Sequence, residues 1–388
     1  MKKIIILGGG FAGVQAAIEL VKSKKFEVTL ISDRDYLYIY PISIWVPVGI
    51  KKFNDVKVSL SKIQKRYPFE LIVDAVKSIK SAENKVELEN QTLHFDYLII
   101  AFGAEKLQHK GMEHTLSICG KPQMAEKLRD RIDELIQNGK GKIAIGFGGN
   151  PKDKSAVRGG PAFELLFNIH YLLNKNKLRN NFEITLFAPM DEPGARMGKS
   201  SLKLMGKMLA ASKINTKYGK KITEFVSDGV IFEDGCKIES DLTMFISAAT
   251  GHSVLKNSDL PLSEAGFVLI DDTGLVHGSS TIYAIGDAAS LEGPDWMAKQ
   301  GHIAELMGRN AAHNIIETEK GSLKRKGYKK HVNILCVMDT GNGAAFVFRD
   351  NEKAFVLPMP FFGHWMKRGW GFYSKITKTS LFPRLPGL

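Results

Sequence analysis

Cysteine is scarce in this chain: three in 388 residues, Cys119, Cys236 and Cys336, far apart and without a C-x-x-C pair. That spacing offers neither a zinc site nor the disulfide framework of a small secreted protein, and a reducing compartment is the default. Long apolar runs are also missing, since no uninterrupted stretch reaches the roughly eighteen residues that a spanning helix needs. Acidic residues are outnumbered, 41 against 54 lysines and arginines, which leaves a formal charge of +13. Such a charge can serve nucleic acid, but no basic stripe with a recognisable binding module is present, and nucleic acid is set aside as a partner. An anionic membrane surface fits better, because acids stop at Glu352 while lysines and arginines continue. With 44% hydrophobic and 24% charged residues bulk disorder is excluded, and the length suits two or three domains.

What is present is organised around residues 1–33. Residues 3–7 are a short apolar run of strand type, Gly8-Gly9-Gly10-Phe11-Ala12-Gly13 fits G-x-G-x-x-G, and residues 14–21 have the spacing of a helix packed on a sheet. Lys2 and Lys3 before an apolar run have the look of a signal peptide, but three glycines cut the run at once, so it is read as the first strand. Residues 26–31 read as the second strand. Strand, glycine turn, helix and strand make the mononucleotide-binding unit of a doubly wound sheet. Gly8 allows the tight turn, Gly10 lets backbone approach a pyrophosphate at the positive helix end, and Gly13, next to Ala12, lets helix and strand pack closely. The carboxylate that usually holds the ribose falls at Ser32 or at Asp33, either of which can bond a hydroxyl.

Residues 36–50 are aromatic and apolar, with Pro41, Trp45, Pro47 and Gly49, and read as a long crossover covering a ligand. Short strands are expected at 69–76, 85–88 and 95–101, the last running into Phe102-Gly103-Ala104, as a small antiparallel excursion returning to a parallel sheet. Residues 123–138 read as a charged amphipathic helix linking domains. A second strand and glycine turn follow at 142–149, then an exposed loop over 151–158, a helix from near Pro161 and a strand over 183–188. This unit lacks a third glycine at the motif spacing and ends its second strand in Phe187-Ala188, where a ribose-binding acid would stand, so NAD(P)H is only weakly supported. Residues 227–249 suggest two strands around Asp234-Gly235 and a further strand over 241–248, with another at 266–270. Residues 281–287 form an apolar strand ending in Gly286-Asp287, which sets a carboxylate at the C-terminal edge of a sheet, where it binds a polyol hydroxyl. Its spacing from the N-terminal turn suits a flavin domain split by an inserted second domain.

In this order the N-terminal glycine turn, Ala101-Phe102-Gly103-Ala104 (a variant of A-T-G), the second glycine turn and the run 281–287 resemble the two-dinucleotide-binding-domain flavoproteins. Within them the chain is similar to the sulfide:quinone oxidoreductase group, which includes flavocytochrome c sulfide dehydrogenase and is related to type II NADH dehydrogenases. The resemblance spans nearly the whole length. It is carried further by Leu30-Ile31-Ser32-Asp33, Asp35-Tyr36, Pro41, Trp45, Ser117-Ile118-Cys119, Asn333-Ile334-Leu335-Cys336 and residues 339–346. It implies an α/β fold of two Rossmann-like dinucleotide-binding domains, the second inserted in the first, plus a C-terminal membrane-associating segment. Residues 1–108 and 251–320 are the expected parts of the FAD domain, 109–250 the second domain with its linker helix, and 321–388 the C-terminal segment. FAD, held noncovalently or covalently, and quinone as electron acceptor follow from the resemblance.

One departure matters. Sulfide oxidation in that group resembles disulfide chemistry, with a cysteine pair near the flavin. One of the pair is expected in the loop ahead of Glu164, where this chain reads Ala156-Val157-Arg158-Gly159-Gly160. Cys119 is then the candidate replacement partner of Cys336, which requires Cα atoms within about 7 Å. Cys236, in a turn-flanked strand, reads as structural. By the resemblance Glu164 is a proton carrier for quinone reduction, and Lys299 and Gln300 stand at the N-terminus of a helix over 302–314 aimed at the flavin pyrimidine. The role of His302 beside them is left open. The expected catalytic set is Cys336, Cys119, Glu164 and Lys299. The expected cofactor set is Gly8, Gly10, Ala12, Gly13, Ser32, Asp33, Gly103, Gly286, Asp287 and Gln300, with no metal site.

After Phe361, apolar residues fall at helical spacing at Phe362, Trp365, Met366, Gly369, Tyr373 and Ile376, with Lys367, Arg368, Lys375, Lys378 and Arg384 on the other side. An aromatic stripe with a basic face suits an interfacial helix. Peripheral attachment on the cytoplasmic side of a membrane would bring the flavin to lipid-soluble quinone, and a homo-oligomer is left open. The expected reaction passes two electrons from a small donor, sulfide or a related sulfur species, through FAD to quinone. A type II NADH:quinone oxidoreductase is the rival enzyme. A flavin electron-transfer subunit docking to a cytochrome is the rival of another class, marked by salt-dependent binding.

Overall fold

A computed structural model describes residues 1–380 of the chain. Ile4, Ile5, Ile6 and Leu7 are each no more than 3% exposed, as in a parallel strand covered on both faces. Their strand, Lys2–Leu7, is the centre of a five-stranded parallel sheet. Its order is Ile282–Ala284, Tyr97–Ile100, Lys2–Leu7, Phe26–Ser32, Glu70–Val73. Helix Phe11–Lys22 covers this sheet and meets helix Gly301–Glu319 almost backbone to backbone. A Cβ on Gly308 would stand 2.4 Å from the Ala12 carbonyl oxygen, so only glycine permits the approach.

A second parallel sheet runs in the order Asn215–Tyr218, Phe182–Ala188, Gly141–Phe147, Leu242–Ile246. The strand Ile282–Ala284 rejoins the first sheet only after all four of these, which makes the second unit an insertion in the first. The antiparallel excursion is present as Val76–Lys80, Lys85–Leu88 and Thr92–His94, returning at Tyr97.

Several local expectations give way. Residues 36–50 are not a plain crossover: strand Tyr36–Tyr38 pairs with Lys57–Ser59, and Pro41 lies in the first turn of a short helix, Tyr40–Ser43. The loop expected to be exposed over 151–158 turns inward, with Ser155 and Ala156 at 5% and 1% exposure. Asp153 accepts from the Ser155 amide at 2.8 Å and Asn150 donates to the Ala249 carbonyl at 2.9 Å, so short polar side chains satisfy the backbone that the turn brings in. Helix Lys199–Ala211 was not expected, nor was the antiparallel sheet Ile334–Asp339, Gly343–Arg349, Ala354–Pro360 near the C-terminus.

The C-terminal helix, Phe362–Thr379, corrects the expected membrane-facing basic side. Its buried face is Gly363, Lys367, Gly371, Ser374 and Lys378. Lys367 pairs with Glu164, Lys378 Nζ lies 2.7 Å from Glu305, and Lys375 donates to the Asp55 carbonyl. A lysine enters the interior when a buried carboxylate meets it, and here there is one for each of the two deepest. The aromatic stripe faces out instead, with Phe362 81%, Trp365 67% and Phe372 65% exposed. Arg384 lies outside the described residues, and no described helix is long and apolar enough to cross a membrane.

Candidate active site

The N-terminal turn fits a pyrophosphate on steric grounds. Gly8 has φ +116°, and a Cβ there would lie 2.5 Å from the Ala101 carbonyl. A Cβ on Gly13 would lie 2.0 Å from the Gly8 carbonyl oxygen, so strand and helix are in contact through that glycine. At Gly10 it would meet no neighbour closer than the Ala101 carbonyl oxygen at 4.0 Å, and no side chain caps the helix that starts at Phe11. Open space before uncapped N–H groups is what a phosphate requires. Gly103 has φ +80° with nothing within 4 Å of an added Cβ, and Gly286 has φ +64°, where an added Cβ would lie 3.2 Å from the Cβ of Ala12. The residues therefore fit FAD. Ser32 is buried at the end of its strand and accepts from the Arg34 amide at 3.4 Å, whereas Asp33 is exposed and lies 3.7 Å from Arg34.

Asp287 stands at the expected strand end, but its partner comes from the inserted unit. Arg158, in the loop where the related proteins are expected to carry a cysteine, forms an ion pair with it. Lys299 is buried, donates to the Ala289 carbonyl and lies 3.9 Å above the Phe267 ring. Burial, reinforced by Arg158, pulls this lysine down to about 7, with Asp153 opposing. The side chain of Gln300 is committed elsewhere: it donates to the Asn333 carbonyl at 2.7 Å and accepts from the Leu335 amide at 3.4 Å. It thereby joins the start of helix Gly301–Glu319 to the strand that carries Cys336, while His302 Nε2 lies 2.8 Å from Asn333 Oδ1.

Cys336 and Glu164 are brought together. Cys336 Sγ lies 4.0 Å from Glu164 Oε1, the Asp339 amide donates to Glu164 Oε2 at 3.2 Å, and Lys367 pairs with that same oxygen. Glu164 is 4% exposed, and burial raises its carboxyl above the usual range despite Lys367. Burial and the Glu164 charge push the Cys336 thiol up to about 12, so it rests protonated.

Cys119 makes its hydrogen bonds within its own segment, to Ser117. It is buried beside Ser117, whose hydroxyl lies 3.3 Å from the Cys119 amide, and next to Gly120, whose carbonyl accepts from Tyr40 at 2.9 Å. All three cysteines are free, and Cys236 is exposed in the turn before Lys237–Glu239 rather than in a strand, which corrects the structural role expected for it. No group of residues that could hold a metal occurs among the described residues.

The second glycine turn is filled by aromatic side chains. A Cβ on Gly146 would lie 2.4 Å from the Phe187 ring, and Phe187 stacks on Phe245 with centroids 5.9 Å apart. Two functional candidates escaped the sequence reading, Asp339 and His364. Asp339 is fully buried, with His364 Nδ1 2.7 Å and Trp45 Nε1 3.2 Å from its carboxylate. They lie 25 and 294 positions from it along the chain, so no local motif could show the cluster.

Comparison with known proteins agrees with this geometry. The chain is 26% identical to the sulfide-quinone reductase of Aquifex aeolicus (strain VF5), over 90% of this chain and 84% of that protein. It is 22% identical to the type II NADH:quinone oxidoreductase of Staphylococcus aureus (strain NCTC 8325 / PS 47), over 89% and 90%. The solved structure of the Aquifex aeolicus sulfide:quinone oxidoreductase superposes with a TM-score of 0.86 at 23% identity, covering 99% of this chain and 93% of that one. A family model described as pyridine nucleotide-disulphide oxidoreductase matches residues 2–308. The chain belongs to the pyridine nucleotide-disulphide oxidoreductase family and is an FAD-dependent oxidoreductase.

Proposed function

We propose that this protein takes two electrons from a small donor, sulfide or a related sulfur species, and passes them to quinone at a membrane surface. The observation that carries the reading is one cluster: Cys336, Glu164 and Lys367 meet on the inner side of a helix whose outer side is aromatic and exposed. Phe361, Phe362, Trp365, Phe372 and, from the neighbouring strand, Leu357 are 77%, 81%, 67%, 65% and 54% exposed. Apolar exposure on that scale suits lipid and a lipid-soluble substrate. The attachment is peripheral and on the cytoplasmic side, in keeping with three free thiols.

The glycine turn at Gly8, Gly10 and Gly13 would hold the FAD pyrophosphate, Ser32 or Asp33 the adenosine ribose, and Asp287 a ribityl hydroxyl. Bound FAD supplies two-electron chemistry between donor and quinone. Glu164 and Lys367 form a buried pair that keeps a proton at the quinone end, where reduction consumes protons. Cys336 is the only thiol in this cluster, and with Arg158 in the loop ahead of Glu164 it acts without a cysteine partner there.

The test is steady-state turnover of FAD-loaded protein with sulfide and a short-chain quinone. Loss of quinone absorbance that requires sulfide is expected. Quinone reduction driven by NADH and not by sulfide would overturn the donor assignment in favour of the type II NADH dehydrogenase reading.

A further inference from the structure

Asp339 closes the strand Ile334–Asp339 at 0% exposure. Its Oδ1 accepts from Trp45 Nε1 at 3.2 Å and from the Gly341 amide at 3.0 Å, and its Oδ2 lies 2.7 Å from His364 Nδ1. Burial works to raise this carboxyl, but the hydrogen bonds from His364 and Trp45 outweigh it and hold Asp339 below the usual carboxylate range. A buried carboxylate against one imidazole nitrogen fixes the ring. Nε2 is then the nitrogen left for another partner, and it has none among the described residues.

His364 stands in the first turn of the C-terminal helix, beside the exposed rings of Phe361, Phe362 and Trp365. Its own side chain is 13% exposed. Lys367 follows it by three positions, a spacing at which helical side chains are neighbours with Cβ atoms about 5–6 Å apart. The two residues are built alike: each is a base on the same helix, backed by a buried carboxylate from another element. The Asp339 amide donates to Glu164 at 3.2 Å, so the two carboxylates are also fixed relative to each other. Quinone reduction needs two protons, and the start of this helix carries two sources of them, His364 beside the aromatic surface and Lys367 buried against Glu164.

We propose that His364 is a proton donor to quinone bound against that first turn, working beside the Lys367–Glu164 pair. The inference rests on the quinone reading above. Quinone gains two electrons, supplied by the reduced flavin, and two protons to become quinol. One proton leaves His364 Nε2, and the other comes from the Lys367–Glu164 pair. His364 is left as neutral imidazole, still held by Asp339, and recovers its proton from water at the surface. The charged groups around it are Asp339, in contact; Arg368, which lies 5.9 Å from the Trp45 ring and 5.2 Å from Trp365; and the Lys367–Glu164 pair. Trp45 packs on the imidazole with centroids 5.1 Å apart, which holds the ring in place.

The experiment is a single turnover. FAD-loaded protein is reduced anaerobically and mixed with a short-chain quinone from about pH 5 to pH 9, a range that spans histidine titration, and the returning flavin band is followed. His364→Gln should keep the FAD content and the donor half-reaction of the wild type and slow reoxidation by about 10²-fold. It should also abolish the decline in rate at alkaline pH that is expected of the wild type. His364→Ala should behave likewise and recover partly with added imidazole, and Asp339→Asn, which frees the ring, should also slow reoxidation. Reoxidation of H364Q at the wild-type rate and pH profile overturns the proposal. Slow reoxidation with an unchanged pH profile and no imidazole rescue also overturns it, because looser docking of the helix would produce that. If the wild type itself is not reoxidised by quinone, the functional reading fails and this inference with it. If quinone reoxidises the wild type and H364Q equally well, only this inference fails.

Discussion

In the N-terminal unit the strand ends at Leu7 and the helix starts at Phe11; in the inserted unit the strand ends at Phe147 and the helix starts only at Gly160. The short turn leaves nothing but backbone before the first helix: a Cβ on Gly8 would strike backbone, one on Gly9 the side chains of Leu60 and Ser32, and one on Gly10 would fill the open space. The long loop brings side chains instead. Arg158 crosses to Asp287 of the first unit, Ser155 accepts from the Lys299 amide through its carbonyl at 3.2 Å, and Phe187 fills the strand end where a ribose-binding acid would stand. One parallel sheet thus ends in a bare backbone turn, while the other sends residues across to its neighbour.

The comparison can be broken where the units are tied together. Lys367 binds Glu164 of the inserted unit, and Lys378 binds Glu305 of the first. Lys378→Ala removes the lysine 2.7 Å from the buried Glu305 carboxylate and should lower the unfolding free energy by about 3–5 kcal/mol, read by urea denaturation. An intact transition midpoint would show that Glu305 is not held by this contact.

A smaller effect separates the two turns directly. Gly13→Ala places a Cβ 2.0 Å from the Gly8 oxygen and should cost about 1–3 kcal/mol and yield protein with little bound flavin. Gly149→Ala meets only ordinary contacts at 3.7 Å, so flavin absorbance per protein should stay at the wild-type level. Equal flavin loss in both would mean that the two turns serve the cofactor alike.

Lys299 lies at the seam and gives a pH signature. Its folded value of about 7 lies below the ordinary 10.5. Across that interval the unfolded chain binds a proton that the folded chain does not, so its contribution to stability rises with pH from about 7 and levels off near 10.5. Below pH 7 both forms are charged and the contribution is constant at its least favourable. Lys299→Met should remove that rise, measured as unfolding midpoints across the interval. The smallest effect is expected at Cys236, exposed in a turn of the inserted unit. Cys236→Ser should change stability by less than about 0.5 kcal/mol and leave flavin reduction untouched.

The sequence made the first unit legible because its signals are local. Gly8, Gly10 and Gly13 sit within one turn, and the apolar strand ending in Gly286-Asp287 marks the return to the sheet. The Phe187-Ala188 strand end likewise made visible that no acid stands there. What stayed hidden depends on contacts far apart in the chain. Trp45, Asp339 and His364 meet across three separate segments, and Arg158 reaches Asp287 from another unit. The C-terminal helix shows a further limit. Its periodicity separated an aromatic stripe from a lysine stripe but could not tell which faced the protein, because that depended on Glu164 and Glu305 waiting inside. The turn residue Cys236 shows the same limit at short range: neighbouring apolar residues suggested a strand that begins only at Lys237.

On the proposed function the first unit carries the flavin, the second does not deliver NADH to it, and a sulfur donor supplies the electrons. The direct measurement is anaerobic mixing of FAD-loaded protein with sulfide and, separately, with NADH, following the visible flavin band. The account predicts rapid bleaching by sulfide, lost in Cys336→Ala, and little by NADH. Rapid bleaching by NADH with none by sulfide would contradict it and make the inserted unit a working nicotinamide site.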